Sequence, residues 1–383
     1  MSSVPLNTDE LRTGGGRDAS VDMVKGMAIL LVVYVHTWPL FSNFCRLFCL
    51  QMFLVASGFC FRSRIGSAAD WRRYMGRRLR RLYVPCAVCN GIYALLGGVF
   101  LRLGLYTDKP VFLAMTAGWP VPQKLYPVNG FGDILRKFVR VVLLTDTTQM
   151  GTSTWFLIML IAISLVHATV CLLTAGLDRR RKLAVLGGLF LMMAGLAQFA
   201  RLPWAAWMFP RCFFYSYLAF LLGVGIRELD LKQLETPLCA ALSFAVLAAI
   251  SPLYYMDLAN ADIPGVLPYL AGVLGGWSML KFIAGRLDPS GRPGRFWLYL
   301  GKHTVSVICL HVLCFKAVTW LYIRVRGLPA IYLASFHVDF DAGEGWKLLY
   351  LAVGLGGSLL LAAVWRRLVR ISARSVSKIR ETR

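Results

Sequence analysis

DMVKGMAILLVVYVH, residues 22 to 36, opens the first long apolar run, and the rest of the chain reads outward from it. From Met27 to Val35 the side chains are all aliphatic or aromatic, which suits a helix in hydrocarbon. Two ionisable residues flank this run, Lys25 and His36. On an α-helix, eleven residues turn through about 1,100°, or three turns and about 20°. Lys25 and His36 are therefore expected on one face, roughly 16 Å apart along the axis. An ionisable group inside a membrane segment is costly and reads by default as functional. Lys25 alone reads equally well as a residue snorkelling to the interface. The pair on one face, with Asp22 one turn before Lys25, favours a site. Met27 to Val35 also has the length of a signal-peptide core. No small-x-small cleavage site follows, so an uncleaved first span is expected.

Apolar runs near twenty residues recur as far as Leu361. The chain of 383 residues is 57% hydrophobic and only 16% charged, with a mean hydropathy of +0.61. That composition excludes an ordinary soluble protein. The expected fold is an all-α membrane protein with about ten transmembrane helices, near 23–40, 44–61, 82–106, 154–175, 183–200, 212–226, 237–255, 265–283, 303–322 and 346–365. Arg and Lys crowd alternate connections, with a roughly threefold excess on one side. This places both termini in the cytoplasm. Residues 1–21 read as a disordered cytoplasmic N-terminus, 22–365 as one ten-helix membrane domain and 366–383 as a basic cytoplasmic tail.

The net charge of +23 would suggest nucleic acid in a soluble protein. Its placement between spans assigns it instead to topology and to anionic membrane lipid, and no nucleic acid partner is expected. The ten cysteines sit in or beside apolar runs and read as small buried hydrophobes. Cys86 and Cys89 form a CxxC without a second ligand pair, so no metal site is expected. There is no P-loop, no GxGxxG after a strand, no HExxH and no GxSxG.

The first inside connection holds Arg62, Arg64, Arg72, Arg73, Arg77, Arg78, Arg80 and Arg81, opposed only by Asp70. A basic helix on an anionic leaflet accounts for most of them. Arg78 and Arg81, three apart and running into Leu82-Tyr83-Val84-Pro85, suit a polyphosphate at the mouth of a span. The long outer connection 107–153 contains Trp119-Pro120-Val121-Pro122, then an amphipathic stretch in which Phe131, Ile134, Leu135, Phe138 and Val142 share a face. In GKHTVSVICLH, residues 301 to 311, His303 and His311 lie about 80° apart around a helix. They are not expected to meet one ligand, and His311 is the deeper candidate. His337, Asp339, Asp341 and Glu344 read as a solvated outer loop or an acidic rim.

Taken together, these residues resemble the acyltransferase-3 family, polytopic membrane O-acyltransferases that modify sugars with acyl groups from cytoplasmic acyl-CoA. The family's hallmark is Arg or Lys, ten residues, then His in the first span. Lys25 and His36 match it, with Asp22 before the base and Gly26 after it. Ser57-Gly58-Phe59 is similar to the end of the family's second span. Arg78-Leu79-Arg80-Arg81 leading to Pro85 is similar to its Arg-x-x-Arg motif. Trp155-Phe156-Leu157 resembles the opening of the span after the long outer loop, and Gly301 to His311 resembles a late family segment. The resemblance covers about residues 18 to 365. Cys49-Leu50-Gln51 departs from the commoner family residues, as do Thr304 and Ile308.

The resemblance implies an integral membrane O-acyltransferase that moves an acyl group, most simply acetyl, from acyl-CoA to a hydroxyl of a cell-envelope carbohydrate. That carbohydrate would be an exopolysaccharide, O-antigen or other envelope glycan, and the setting a bacterial inner membrane. In this reading His36 is the catalytic base, with Asp22, Lys25 and His311 in the catalytic set. Lys25, Arg78 and Arg81 hold the acyl-CoA phosphates. Ser57, Tyr83 and Trp155 serve the acceptor or the structure. Acetyl-CoA is a donor substrate and no cofactor is permanently bound; direct transfer and a covalent acyl-His relay both stay open. The alternative is a secondary transporter or lipid-linked-glycan flippase, which the spans, a midplane His and a basic mouth also fit. A third reading, a structural membrane subunit, leaves Lys25, His36 and His311 unexplained. The sequence sets no oligomeric state.

Overall fold

The computed structural model of the chain describes residues 18–61, 65–108, 130–199, 210–259, 262–334 and 342–381. Among them are helices and their connections and no named strand. Each of the ten apolar runs carries helix. Among the described residues six segments are long and apolar enough to cross a membrane: Ser42–Phe59, Thr152–Leu173, Arg179–Phe199, Val266–Arg286, Thr304–Arg326 and Glu344–Ile371. The chain is an all-α membrane protein.

Helix α1, Ala19–Val35, starts one turn earlier than the sequence suggested. Residues 19–21, read as disordered, are its first turn, and residues 1–17 lie outside the described residues. The second run is broken into α2, Ser42–Arg46, and α3, Gln51–Phe59, by a tight turn. Helix α4, Ala68–Leu95, fuses the basic connection and the third run into one helix of 28 residues. Ser67 caps it by accepting from the Asp70 N–H, and Pro85 lies inside it. Proline removes one internal hydrogen bond, and the helix continues past it into α5, Gly97–Arg102. Next come α6, Phe131–Val142, and α7, Trp155–Leu173, the latter entered through a 3-10 turn at Thr152–Thr154. Helices α8, Arg179–Phe199, and α9, Pro210–Glu228, follow. Then come α10, Pro237–Ile250, α11, Val266–Arg286, and α12, Arg292–Lys302. Helix α13 is Thr304–Arg326 and α14 is Glu344–Glu381. The tail read as a separate segment from residue 366 continues α14 without a break. Arg62, Arg64, Trp119-Pro120-Val121-Pro122, His337, Asp339 and Asp341 lie outside the described residues.

The chain folds as two compact units, each assembled from separate stretches. The first takes residues up to Val32, then Asn43–Arg62 and Arg179–Thr304; the second takes Val33–Ser42, Ser63–Asp178 and Val305 onward. In the first unit, helices meet backbone to backbone. A Cβ at Gly58 of α3 would collide with the Phe220 carbonyl of α9, and one at Gly223 of α9 would collide with the Val55 carbonyl of α3. Gly26 of α1 and Gly301 of α12 repeat the arrangement, against the carbonyls of Trp297 and Asp22. Small residues let apolar helices approach closely, and dispersion then replaces the hydrophobic drive that lipid does not supply. In the second unit, α4 packs against α6 and α7. The Phe138 ring of α6 covers Gly91, and Trp71 Nε1 donates to Thr169 Oγ1 of α7 at 3.2 Å.

The stretch read as an interfacial helix is α6, but its apolar face divides in two. Phe138 turns toward α4 and Ile134 toward α5, while Phe131, Leu135 and Val139 are exposed beside the equally exposed Arg136 and Arg140. Tyr83 of α4 donates to the Val142 carbonyl at 3.1 Å and pins the end of α6, while Lys137 is tied at 2.6 Å to Asp146 in the turn that follows.

Candidate active site

The second unit brings His36 and His311 together. His36 is the residue after α1, half-buried, and His311 lies fully buried two turns into α13. Their rings meet edge to face, with centroids 5.3 Å apart and planes at 64°. On its other side His311 meets Phe315, whose ring packs against Tyr350, and Tyr350 shares a hydrogen bond with Thr319 at 2.9 Å. The proton on His311 can be placed. Its Nδ1 is 2.7 Å from the Val307 carbonyl oxygen, which can only accept, so Nδ1 carries the hydrogen. Nε2 is then the basic nitrogen, and Ser153 Oγ, 3.3 Å away, donates to it.

Ser153 sits in a turn held from α4. Asn90 Oδ1 accepts from the Thr148 N–H at 3.0 Å and from Thr148 Oγ1 at 2.9 Å. Asn90 Nδ2 donates to Thr154 Oγ1 at 2.8 Å and to the Cys86 carbonyl at 3.1 Å. Thr154 Oγ1 donates to the Gly151 carbonyl, and the Gly151 N–H returns to Thr148 Oγ1. Asn90, Thr148 and Thr154 are each at most 1% exposed. A buried polar network with its members paired is rigid, because breaking one bond strands groups that water cannot reach. One turn further along α4, Tyr93 donates to the Cys309 carbonyl of α13 at 3.0 Å, next to His311. The same face of α4 thus sets both the turn and the histidine helix.

The remaining sequence candidates fall as follows. Asp22 is buried on α1 and accepts from Lys25 Nζ at 3.2 Å; both belong to the first unit. Arg78 is half-buried, with Nε donating to Ser164 Oγ of α7 at 2.8 Å, whereas Arg81 is exposed. Ser57 is half-buried inside α3. Trp155 opens α7, half-buried, with its ring edge-on to Phe156, and Tyr83 is engaged with α6. His303, set aside in favour of His311, stacks on Tyr299 at 4.3 Å in the first unit and bonds its carbonyl.

Several residues of the arrangement escaped the sequence reading. Ser153, Asn90, Thr148 and Thr154 are ordinary polar residues with no local pattern to single them out. Lys281 did carry a signal, a lysine inside an apolar run. It is 5% exposed in the first unit, with Nζ 3.0 Å from Asp18 Oδ2, bonded to Ser20 Oγ and 3.8 Å from Glu235 Oε1. It also lies 5.6 Å from the centre of the Phe59 ring. Burial pushes the Asp18 carboxyl up, but Lys281 and Ser20 outweigh it and hold it below its ordinary value. Glu235 goes the other way: burial raises it, Lys281 opposes, and Asp18 adds to the rise.

His36 and His311 thus meet in the second unit of a membrane protein, and a family model described as an acyltransferase domain matches residues 18–364. The chain belongs to the acyltransferase-3 family. It is therefore a membrane acyltransferase. No curated protein and no solved structure is significantly similar to it. The contact of His36 with His311 sets two imidazoles, one half-buried and one buried, side by side, and imidazole can take up or give a proton.

Proposed function

We propose that this member of the family is a multi-pass O-acetyltransferase of a bacterial inner membrane. It moves acetyl from acetyl-CoA to a hydroxyl of an envelope carbohydrate. The observation that carries the reading is the edge-to-face contact of His36 and His311 at 5.3 Å. Transfer from a thioester to a hydroxyl needs a base for the hydroxyl proton, and imidazole titrates near neutrality. His36 is half-buried, so an acceptor can reach it, while His311 behind it orients the ring. Arg78 and Arg81 bind the donor's phosphates, with the Ser164 bond orienting the Arg78 guanidinium. The chain crosses the membrane about ten times with both termini in the cytoplasm. The exposed arginines of α4 then face anionic lipid and the cytoplasmic donor pool.

The test is acetyl transfer by His36→Ala. A general base contributes roughly 10²- to 10⁴-fold, and a loss of that size is expected with insertion and yield unchanged. Turnover near the wild-type rate would remove His36 from the mechanism. His36→Gln, which keeps a hydrogen bond without a base, separates positioning from proton transfer.

A further inference from the structure

Three features of the second unit converge on one hydroxyl. Ser153 Oγ donates to His311 Nε2, and His311 Nδ1 is oriented by the Val307 carbonyl. Nucleophile, base and orienting acceptor therefore stand in the order that activates a serine. The 3.3 Å bond is long, as such bonds are before substrate binds. Ser153 also lies in the 3-10 turn that leads into α7, where the Thr152, Thr154 and Trp155 N–H groups bond the Gln149, Gly151 and Thr152 carbonyls and hold the turn in shape. Finally, the Asn90 network fixes the turn on both sides of Ser153, through Thr148, Gly151 and Thr154. A serine needed only to satisfy a histidine would not require so rigid a mount.

We infer that Ser153 carries the acyl group between donor and acceptor as an acyl-serine ester, with His311 as its base; the inference rests on the acyl-CoA-dependent transfer proposed above. In the first half, Ser153 Oγ attacks the thioester carbonyl and its proton passes to His311 Nε2. The C–S bond breaks and CoA leaves as the thiolate. In the second half, the acceptor hydroxyl gives its proton to His36 and attacks the ester carbonyl. The bond from that carbonyl to Ser153 Oγ breaks, and His311 returns its proton to Ser153. The acceptor's proton, left on His36, balances the thiolate. The two histidines thus divide the work: the buried one serves the enzyme's own hydroxyl and the half-buried one serves the substrate's.

A covalent intermediate makes the first half reversible without acceptor. Purified full-length protein, given acetyl-CoA and radiolabelled CoA with no carbohydrate, should exchange label into acetyl-CoA. Ser153→Ala should lose exchange and transfer together, roughly a hundredfold or more. Ser153→Cys, which keeps a nucleophile, should retain exchange. With acetyl-labelled donor, acid-quenched protein should carry label on the peptide containing Ser153, releasable by hydroxylamine. Transfer by the wild type without exchange would overturn the acyl-serine and leave the proposed function standing. So would label on His36, or a Ser153→Ala variant that works normally. A wild type that neither exchanges nor consumes acetyl-CoA in the presence of a membrane glycan extract would overturn the proposed function, and the acyl-serine with it.

Discussion

The two units are held together by different means. In the first, Gly58 faces the Phe220 carbonyl and Gly223 the Val55 carbonyl, so α3 and α9 touch through their backbones. Gly26 and Gly301 do the same for α1 and α12. In the second, α4 reaches its neighbours with polar side chains: Arg78 to Ser164, Asn90 to Thr148 and Thr154, and Tyr93 to Cys309. Backbone contact in an apolar setting gives close packing with no group left to titrate or react. Buried hydrogen bonds give direction, which is what a reacting hydroxyl and an imidazole need. The comparison teaches that two parts of one helical membrane protein can be joined internally in different ways, by close backbone approach in one and by directed polar bonds in the other.

The contrast can be broken most directly where α3 meets α9. Gly58→Leu should cost the first unit about 3 kcal/mol, seen as loss of monodisperse protein in detergent. Gly188→Ala, with nothing within 4 Å of its Cβ, should stay within about 1 kcal/mol of the wild type. Similar outcomes at both sites would mean that backbone contact does not hold this unit. Asn90→Ala comes next. It strands groups on Thr148 and Thr154, at about 1–3 kcal/mol for each buried group left unpaired. Thermal melting should fall, and acetyl transfer should fall further still, because the Ser153 turn loses its mount. Normal activity in a destabilised Asn90→Ala protein would separate the network from the site.

Arg78→Lys and Arg81→Lys sharpen the comparison at the donor. Each should raise the apparent acyl-CoA constant about ten- to a hundredfold, the equivalent of a lost charge-assisted contact of about 1.5–3 kcal/mol. Arg72→Lys, exposed one and a half turns earlier, should change little. Equal effects at all three positions in a donor titration would reduce the segment to a basic surface. The smallest effect is expected at Asp18, which is partly exposed. Its carboxyl is held below its ordinary value, so the Lys281 bond adds stability above the unfolded value of about 4 and loses it as pH falls through the lower native one. The melting difference between wild type and Asp18→Asn should therefore be present at neutral pH and vanish in acid. A difference that grew in acid would contradict the pairing.

The membrane class, the apolar runs and the placement of His36 and His311 at or within apolar runs were legible in the chain, since hydrocarbon imposes composition over whole segments and leaves an ionisable residue conspicuous. Lys25 and Asp22 were legible as a local pair for the same reason, one helical turn apart, and they do meet at 3.2 Å. The partner of His36 was not legible. His36 and His311 lie 275 positions apart, and a helical repeat relates only residues within a few turns. Nor did any pattern mark Ser153 or Asn90, because a serine or asparagine in a polar turn looks the same whether it is solvated or aimed at an imidazole. Glycines 58, 223, 26 and 301 show the same division. Their presence in apolar segments was plain, but which carbonyl each one faces depends on how distant helices cross. Sequence therefore determined what each segment is made to dissolve in, a property of neighbouring residues. The tertiary structure decided which hydroxyl meets which base, because that depends on contacts between segments that the local code does not record.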